Sequence, residues 1–585
     1  MKQLGNLAVI GSGATTIFFL YHLEQNAALL GKYLKSVTLF EKSGFPGCGM
    51  PYRPETTDRF NMSNISSEEI PKLPETLIDW LRSRDEEELE KWGMRKSELS
   101  ESEVYARLPL GQYLHAQYRT IVARLREKDI PVEEINRCEI TDIAEEHNDS
   151  RSTYLLCDAE KKRGRFDSVI IATGHQWRDE DRPEVRYFAS PWPISKLLPP
   201  EGAHHDFHVG TLGASLSAFD VVSSLAHRHG TFSTINGGEL HYEPHHGTEN
   251  FKLFMHSVTG WLPQLQFDQV EPFREIYRHC TRAELFSLRD DEGFLRLGIF
   301  FDKICRPALA KAFQKDGLNE IAEKLANPNF RFGDFVAKMS RRHDYENAFD
   351  GMRQEMIGAR DSVLNHHPVH WKEIIDDLMY CLNFHAEMMP AEDHLTLRKT
   401  VMPFLLNVIA AMPLPSAKHL LALHEAGKLE LVTGHVSVDE KQEKDDRIKV
   451  AIKNGAQKTS ARYGMFVDCS GQKSLELEDY PFPTLVKTGK VRRAHAQFID
   501  TARAEKEIAD QKNERVFKDG DCFFLQTGGI EIDVSYRVID RNGVAHEHLY
   551  DLAFPHTSGI RPYSYGLQAC NATASIVVNS WLSTQ

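Results

Sequence analysis

The sequence predicts an α/β fold of two doubly wound parallel-sheet domains, the first discontinuous, carrying a long helical insertion. Three observations predict it. A buried-looking strand runs into a Gly-rich turn and a helix at Leu7-Ala8-Val9-Ile10 and Gly11-Ser12-Gly13-Ala14-Thr15-Thr16, and does so again at Phe207-His208-Val209-Gly210 and Thr211-Leu212-Gly213-Ala214-Ser215-Leu216-Ser217-Ala218. Each copy is answered far downstream by an apolar strand closing in small residues, Val169-Ile170-Ile171-Ala172-Thr173-Gly174 and Met465-Phe466-Val467-Asp468-Cys469-Ser470-Gly471. Between the two halves of the second copy, from about Gln264 to Glu425, apolar residues recur at helical spacing with little strand signal. A duplicated Rossmann-type plan of this kind implies two dinucleotides, one per copy.

In the first copy Gly11 permits the tight turn, Gly13 lets the backbone approach a pyrophosphate, and Thr16 is small enough for the helix to pack near the sheet. The helix start adds free N–H groups and the positive end of a dipole. The next strand, Ser36-Val37-Thr38-Leu39-Phe40, ends in Glu41, whose carboxylate is placed to accept from ribose hydroxyls. These elements together specify a dinucleotide without choosing between FAD and NAD.

Composition agrees. The 585 residues can bury more than one core, and 41% hydrophobic with 26% charged residues is ordinary for a globular chain. A net charge of −14 and the lack of a basic stripe interleaved with aromatics argue against nucleic acid. The nine cysteines are scattered and never form C-x-x-C, so neither a disulfide framework nor a zinc site is expected. A strand within a few residues of Met1 leaves no room for a cleavable signal, and a cytoplasmic protein without membrane contact is expected. The longest apolar run, Val401 to Pro415, holds Pro403, Asn407 and Pro413 and reads as a buried helix.

Each copy also closes through a β-meander. In the first, Glu139–Ile143, Thr153–Cys157 and Ser168–Ala172 read as strands around the turns His147-Asn148-Asp149-Ser150 and Lys161-Lys162-Arg163-Gly164. In the second, Leu429–Val432, Val436–Val438, Ile448–Ile452 and Met465–Val467 do so, with Glu440–Arg447 as a charged turn. In the insertion, Ile374, Ile375, Leu378 and Leu382 build one apolar face. Structural bulk, a substrate cap and an oligomer surface all stand open for it. The resulting division is 1–200 with 475–585, 201–263 with 426–474, and the insertion 264–425.

Gly11-x-Gly13 with Glu41, Gly47-Cys48-Gly49-Met50-Pro51-Tyr52, Arg59-Phe60-Asn61-Met62-Ser63, Leu110-Gly111-Gln112-Tyr113-Leu114 and Ala172-Thr173-Gly174-His175 together resemble the FAD/NAD(P)-binding family related to class B flavin monooxygenases. That family's better understood relatives include N-hydroxylating monooxygenases, among them nitrosuccinate synthase, which oxidises the amine of aspartate. Gly213-x-Ser215-Leu216-Ser217-Ala218-x-Asp220 and Gly559 to Ala574 share in the resemblance, which is weakest across the insertion.

The resemblance implies FAD on the discontinuous first domain and NADH or NADPH on the second. FAD would be held by Gly11, Gly13, Thr16 and Glu41, by Gly47 and Gly49, by Thr173 and Gly174, and by Gly559 through Gln568 ahead of a small-residue helix, Ala569–Val578. Tyr52, Asn61 and Ser63 are the candidates to face the flavin; no catalytic acid or base is assigned. Gly213, Ser215 and Ser217 would hold NAD(P)H, with Ser215 standing where the second glycine is usual. Near the following strand no Arg is placed to pair with a 2′-phosphate, which favours NADH, although Lys252 or His256 could substitute.

The implied activity is an NAD(P)H-driven monooxygenase that N-hydroxylates a small amine or amino acid with O2 through a C4a-hydroperoxyflavin. The alternatives are an NAD(P)H:acceptor flavin oxidoreductase without oxygen insertion and a nucleotide-dependent binding or scaffold protein with structural FAD. Homo-oligomerisation stays open. The clusters His204/His205/His208, His241/His245/His246 and His366/His367/His370 lack the accompanying ligands of a metal site and read as surface or loop residues. Cys48 lacks the partner cysteine of a redox disulfide.

Overall fold

A computed structural model describes residues 3–148, 151–176, 180–235, 238–340, 345–409, 411–438, 447–509, 515–563 and 566–583. Two parallel sheets organise it. In the first, the strands run in the order Arg537–Ile539, Ala545–Asp551, Ser168–Ile171, Gly5–Ile10, Leu34–Glu41 and Val132–Asn136, all parallel except the first. The second runs Tyr187–Phe188, Met465–Asp468, His208–Leu212, Lys252–Ser257 and Leu429–Thr433, parallel throughout. Strands buried on both faces explain the continuous apolar runs: Leu7, Val9, Val37, Val169 and Val209 are wholly buried.

The C-terminal part of the chain completes the first core. Helix Leu567–Leu582 lies on helix Ala14–Gln25, with Trp581 edge-on to Phe19 at 5.6 Å and His22 Nε2 2.8 Å from Asn571 Oδ1. Tyr480, Phe482, Leu549 and Ile560 join the same hydrophobic cluster as Leu7 and Phe19.

Each domain carries a three-stranded antiparallel appendage, Asp142–Asn148, Arg151–Cys157 and Lys162–Phe166 in the first, and His435–Val438, Ile448–Asn454 and Gln457–Tyr463 in the second. Two expectations are corrected here. The basic segment beginning at Lys162 is a strand rather than a turn, and the first meander strand starts at Asp142 rather than Glu139. The turn residues Asp149 and Ser150, and Glu440 to Asp446 of the charged turn, lie outside the described residues. A further antiparallel sheet, Arg493–Gln497, Cys522–Ile530 and Val516–Asp519, has no counterpart in the sequence reading.

The insertion is helical, but its helices serve two cores. Leu285, Phe300, Phe313, Phe335, Leu378 and Phe404 form a hydrophobic cluster of their own. Helices Ala348–Asn365 and Leu414–Glu425 instead pack on the second sheet, where Phe349, Met352, Leu420 and Leu423 meet Val209 and Leu253. The run expected as one buried helix over Val401–Pro415 is therefore broken: helix Met402–Val408 stops, and the next begins at Leu414. Two π-helical turns, Phe301–Cys305 and Leu397–Val401, each precede a proline, Pro307 and Pro403. Proline removes an N–H from the i→i−4 ladder and crowds the preceding turn, which the wider π turn accommodates.

Candidate nucleotide-binding site

A cleft of about 250 Å3 opens at the carboxyl ends of the first sheet's strands, where ligands bind in open α/β sheets. Gly11, Gly13, Glu41, Gly49, Tyr52, Thr173 and Gly174 line it. Gly11 sits at φ +94°, and a Cβ there would stand 2.5 Å from the carbonyl oxygen of Ala172, so the turn needs glycine on steric grounds alone. A Cβ on Gly13 would meet nothing nearer than Gly49 Cα at 3.5 Å; this position leaves room over the cleft. The N-termini of two helices, Ala14–Gln25 and Leu567–Leu582, reach it through Ala14 and Leu567, directing two positive dipole ends at one space.

Glu41 lies where the next strand ends, nearly buried. Its Oε2 accepts from Ser12 N at 3.1 Å and Ser12 Oγ at 2.7 Å, and its Oε1 from Ser43 N at 2.7 Å. Burial alone would raise its pKa, but these hydrogen bonds outweigh it and hold the carboxyl below its ordinary value. Arg53, a lining residue without a sequence motif around it, places Nη1 3.9 Å from Glu41 Oε1, while its buried Nε has no hydrogen-bond partner. An orphan guanidinium donor, two helix N-termini and the open space over Gly13 fit the phosphates of a dinucleotide. Burial pushes the Tyr52 phenol up to about 12, keeping it a neutral hydrogen-bonding group in the cleft wall.

Other expected FAD contacts lie elsewhere. Asn61 is fully buried, and its amide is saturated: Oδ1 accepts from Thr57 Oγ1 at 3.0 Å and Asp58 N at 2.9 Å, while Nδ2 donates to Asp220 O at 3.1 Å and Ser224 Oγ at 2.9 Å. It joins the first domain to helix Leu216–His229 and does not face the cleft. Ser63 donates to Ile65 O at 3.2 Å beside the same junction. Thr16 is buried under the turn, donating to Gly11 O at 2.7 Å. Gly47 is tied behind the cleft by its N–H to Ser12 O at 2.8 Å. Gln568 holds the insertion, accepting from Arg274 N at 2.6 Å and donating to Pro272 O at 2.9 Å; Gly559 lines a neighbouring cavity. Ser564 and Tyr565, within the expected last FAD element, lie outside the described residues.

A buried polar group behind Thr173 had no sequence signal. Asp551 Oδ2 accepts from Tyr480 OH at 2.8 Å and lies 2.8 Å from His556 Nδ1, whose Nε2 is 3.4 Å from Thr173 Oγ1. Thr173, Tyr480 and the Asp551–His556 segment are far apart in sequence and meet where Ala545–Asp551 pairs with Ser168–Ile171.

The second copy repeats the turn. Gly213 has φ +107°, and a Cβ there would lie 2.9 Å from the carbonyl oxygen of Cys469, the counterpart of the Gly11–Ala172 approach. Ser215 caps helix Leu216–His229 without a side-chain hydrogen bond, and Ser217 follows in its first turn. His256 cannot substitute for a phosphate-binding Arg: it is buried, with Nδ1 2.9 Å from Thr211 O and Nε2 3.1 Å from Tyr463 OH. Lys252 is engaged with Glu430. Among the described residues no group of His, Cys, Asp and Glu could hold a metal, and no helix is long and apolar enough to cross a membrane.

Fold and cleft together define a dinucleotide-binding α/β protein. Residues 8–176 match the FAD-NAD(P)-binding family and form an FAD/NAD(P)-binding domain. Residues 281–409 match the YdhS-like middle domain, within the helical insertion. The chain is 26% identical over 482 residues to Uncharacterized protein YdhS of Escherichia coli (strain K12), covering 82% of this chain and 85% of that one. Solved structures similar to it include an ornithine N-hydroxylase from Kutzneria sp. 744 (11% identity, TM-score 0.44, 98% of each chain) and an L-lysine 6-monooxygenase from Pseudomonas syringae (12%, 0.44, 98% of each).

Proposed function

We propose that this protein is an FAD-dependent, NAD(P)H-driven monooxygenase acting on the amine of a small metabolite such as an amino acid. The observation that carries the reading is the cleft over Gly11 and Gly13, with its two helix N-termini and the unpaired Nε of Arg53, beside a second turn of the same construction at Gly213. Gly13, Glu41, Arg53 and the start of helix Leu567–Leu582 hold the FAD; the Gly213–Ser217 turn holds the nicotinamide dinucleotide. Flavin bound there would supply the redox chemistry between nicotinamide and oxygen. The chain's part is to bind, orient and keep water out. Tyr52 contributes a neutral wall, and Thr173, backed by His556 and Asp551, a hydroxyl whose orientation is fixed from behind.

The test is to measure flavin in the purified protein, reduce it anaerobically with NADH and separately with NADPH, and admit oxygen with a panel of small amino acids and amines. Hydroxylated amine formed with little free peroxide is the expected result. A protein that neither retains FAD nor is reduced by either nucleotide ends the proposal; reduction followed only by peroxide across the panel favours the acceptor oxidoreductase.

A further inference from the structure

A second cavity, of about 410 Å3, adjoins the nucleotide cleft and shares His175, Phe554 and Pro555 with it. Three distant parts of the chain meet there: the helical insertion through His394, Leu397, Arg398, Met402 and Leu406, the stretch after the second sheet through Lys473, and strand Cys522–Ile530 through Thr527. No carboxylate lines it, in a chain whose net charge is −14. Its charged groups are the cations Arg398 and Lys473.

Arg398 projects from the π turn Leu397–Val401, and its Nη2 donates to Thr527 O at 2.6 Å. Among the described residues no acid pairs with it. Arg398 stays exposed at the surface, yet crowding by its neighbours and then the like charge of Arg515 push this guanidinium below its ordinary value. Two buried polar atoms at the same walls are unsatisfied: Thr527 Oγ1, on a residue 1% exposed, and His394 Nε2, on one 5% exposed. Burial holds His394 neutral, its pKa down to about 4. Both atoms are closed to solvent, so the polar groups of the lining that an incoming ligand can reach are the exposed cations Arg398 and Lys473. Leu397, Met402 and Leu406 supply an apolar side.

We infer that this cavity is a binding site for a small organic anion, a carboxylate on an apolar body, held by Arg398 and Lys473. Its role as the substrate pocket rests on the flavin reading above, because only the shared wall at His175 and Phe554 connects it to that chemistry. The phosphates of the nicotinamide dinucleotide share the anionic chemistry, and the experiment separates the two.

Calorimetric titration of the purified protein with benzoate, benzyl alcohol and benzylamine reads the site directly, with FAD content taken from visible absorbance of the same sample. Saturable binding of benzoate, with benzyl alcohol weaker and benzylamine silent, is expected. Arg398→Met should weaken benzoate by about tenfold or more, since it removes a charge-assisted hydrogen bond, and leave NADP+ affinity as it was. Should Arg398→Met fail to fold, the exposed Lys473→Met carries the charge test. Benzoate binding that is undetectable, matched by benzylamine or unchanged in the variants overturns the site; loss of NADP+ affinity in place of benzoate assigns the cavity to the dinucleotide and overturns it too. A colourless protein that binds benzoate sinks the flavin reading alone, and a yellow one that does not sinks the anion site alone.

Discussion

Gly11 and Gly13 stand two residues apart in one motif, yet they are glycine for different reasons. Gly11 is fixed by the protein itself: its φ of +94° and the Ala172 carbonyl 2.5 Å from a Cβ make any side chain costly whether or not a ligand is bound. Gly13 has an ordinary φ of −75° and room for a methyl group. Gly11→Ala is therefore expected to lose at least about 2 kcal/mol of folding stability in chemical denaturation. Gly13→Ala should melt like the parent while retaining less FAD, because its methyl occupies the approach to the pyrophosphate. Equal stability losses in the two variants would refute the distinction. The motif itself was legible because spacing and residue type coincide with the chemistry. Asn61 shows the limit: a conspicuous polar residue in a flavoprotein-like segment spends its amide oxygen on its own loop and both amide N–H groups on the neighbouring domain, and nothing in its spacing distinguishes a ligand contact from a structural one. Arg53 and Arg398 were illegible for the converse reason. Single basic residues carry no pattern, and their meaning comes from partners they lack in three dimensions.

Among the elements, the sequence signal followed burial. The central strands were read correctly because both faces are apolar. Strand Gln457–Tyr463 was missed because most of its side chains are exposed, leaving no period-two alternation, and the start of strand Lys162–Phe166 was read within the turn Lys161–Gly164 because these residues are basic. The antiparallel sheet Arg493–Ile530 escaped for want of any motif. The junction between the domains depends on helix Leu216–His229, which receives Asn61 Nδ2 at Asp220 O and Ser224 Oγ, donates from Ser223 Oγ to Phe60 O at 3.1 Å, and brings Arg228 to 3.0 Å from Asp58 Oδ2. Arg107 Nη2 lies 2.6 Å from Asp220 Oδ2. Asn61→Ala strands several buried partners at this seam and is expected to cost roughly 3 kcal/mol. FAD retained by the folded variant should be unchanged, since Asn61 does not line the cleft. A variant of parental stability that sheds FAD would restore Asn61 to the flavin site.

For the molecule as a whole, two sheets, two appendages and an inserted helical core were foreseeable from repeats of pattern, while the sharing of insertion helices between cores was not, because amphipathic faces do not name the surface they cover. Acid stability is also a property of the whole, and it sets buried groups against one another. His229 is wholly buried; its Nδ1 is 2.6 Å from Leu225 O and its Nε2 accepts the His205 N–H at 2.8 Å, which assigns a neutral ring protonated on Nδ1. Burial first, and the neighbouring His205, His204 and His245, bring its pKa down to about 4. The unfolded chain takes up this proton at about 6.5 and the folded chain only near 4, so the histidine's contribution is intact above the first value and is lost as pH falls through that window, by up to about 1.4 kcal/mol per pH unit. Asp220 and Asp376 act in the opposite sense: burial, outweighing Arg107 and Arg274, lifts their pKa values to about 7 and about 6, so the folded chain binds these protons first and gains stability as the medium acidifies. The net pH profile of the parent is thus a balance, and the His229 component is isolated by comparison with His229→Gln, whose side-chain oxygen can still accept from His205. Urea unfolding of both proteins across the range from about pH 7 to about pH 4.5 should show the variant less stable at neutrality and the gap closing on acidification. Parallel profiles would mean that His229 takes up its proton in the folded chain as readily as in the unfolded one, and that its two hydrogen bonds and its burial do not hold the ring neutral on acidification.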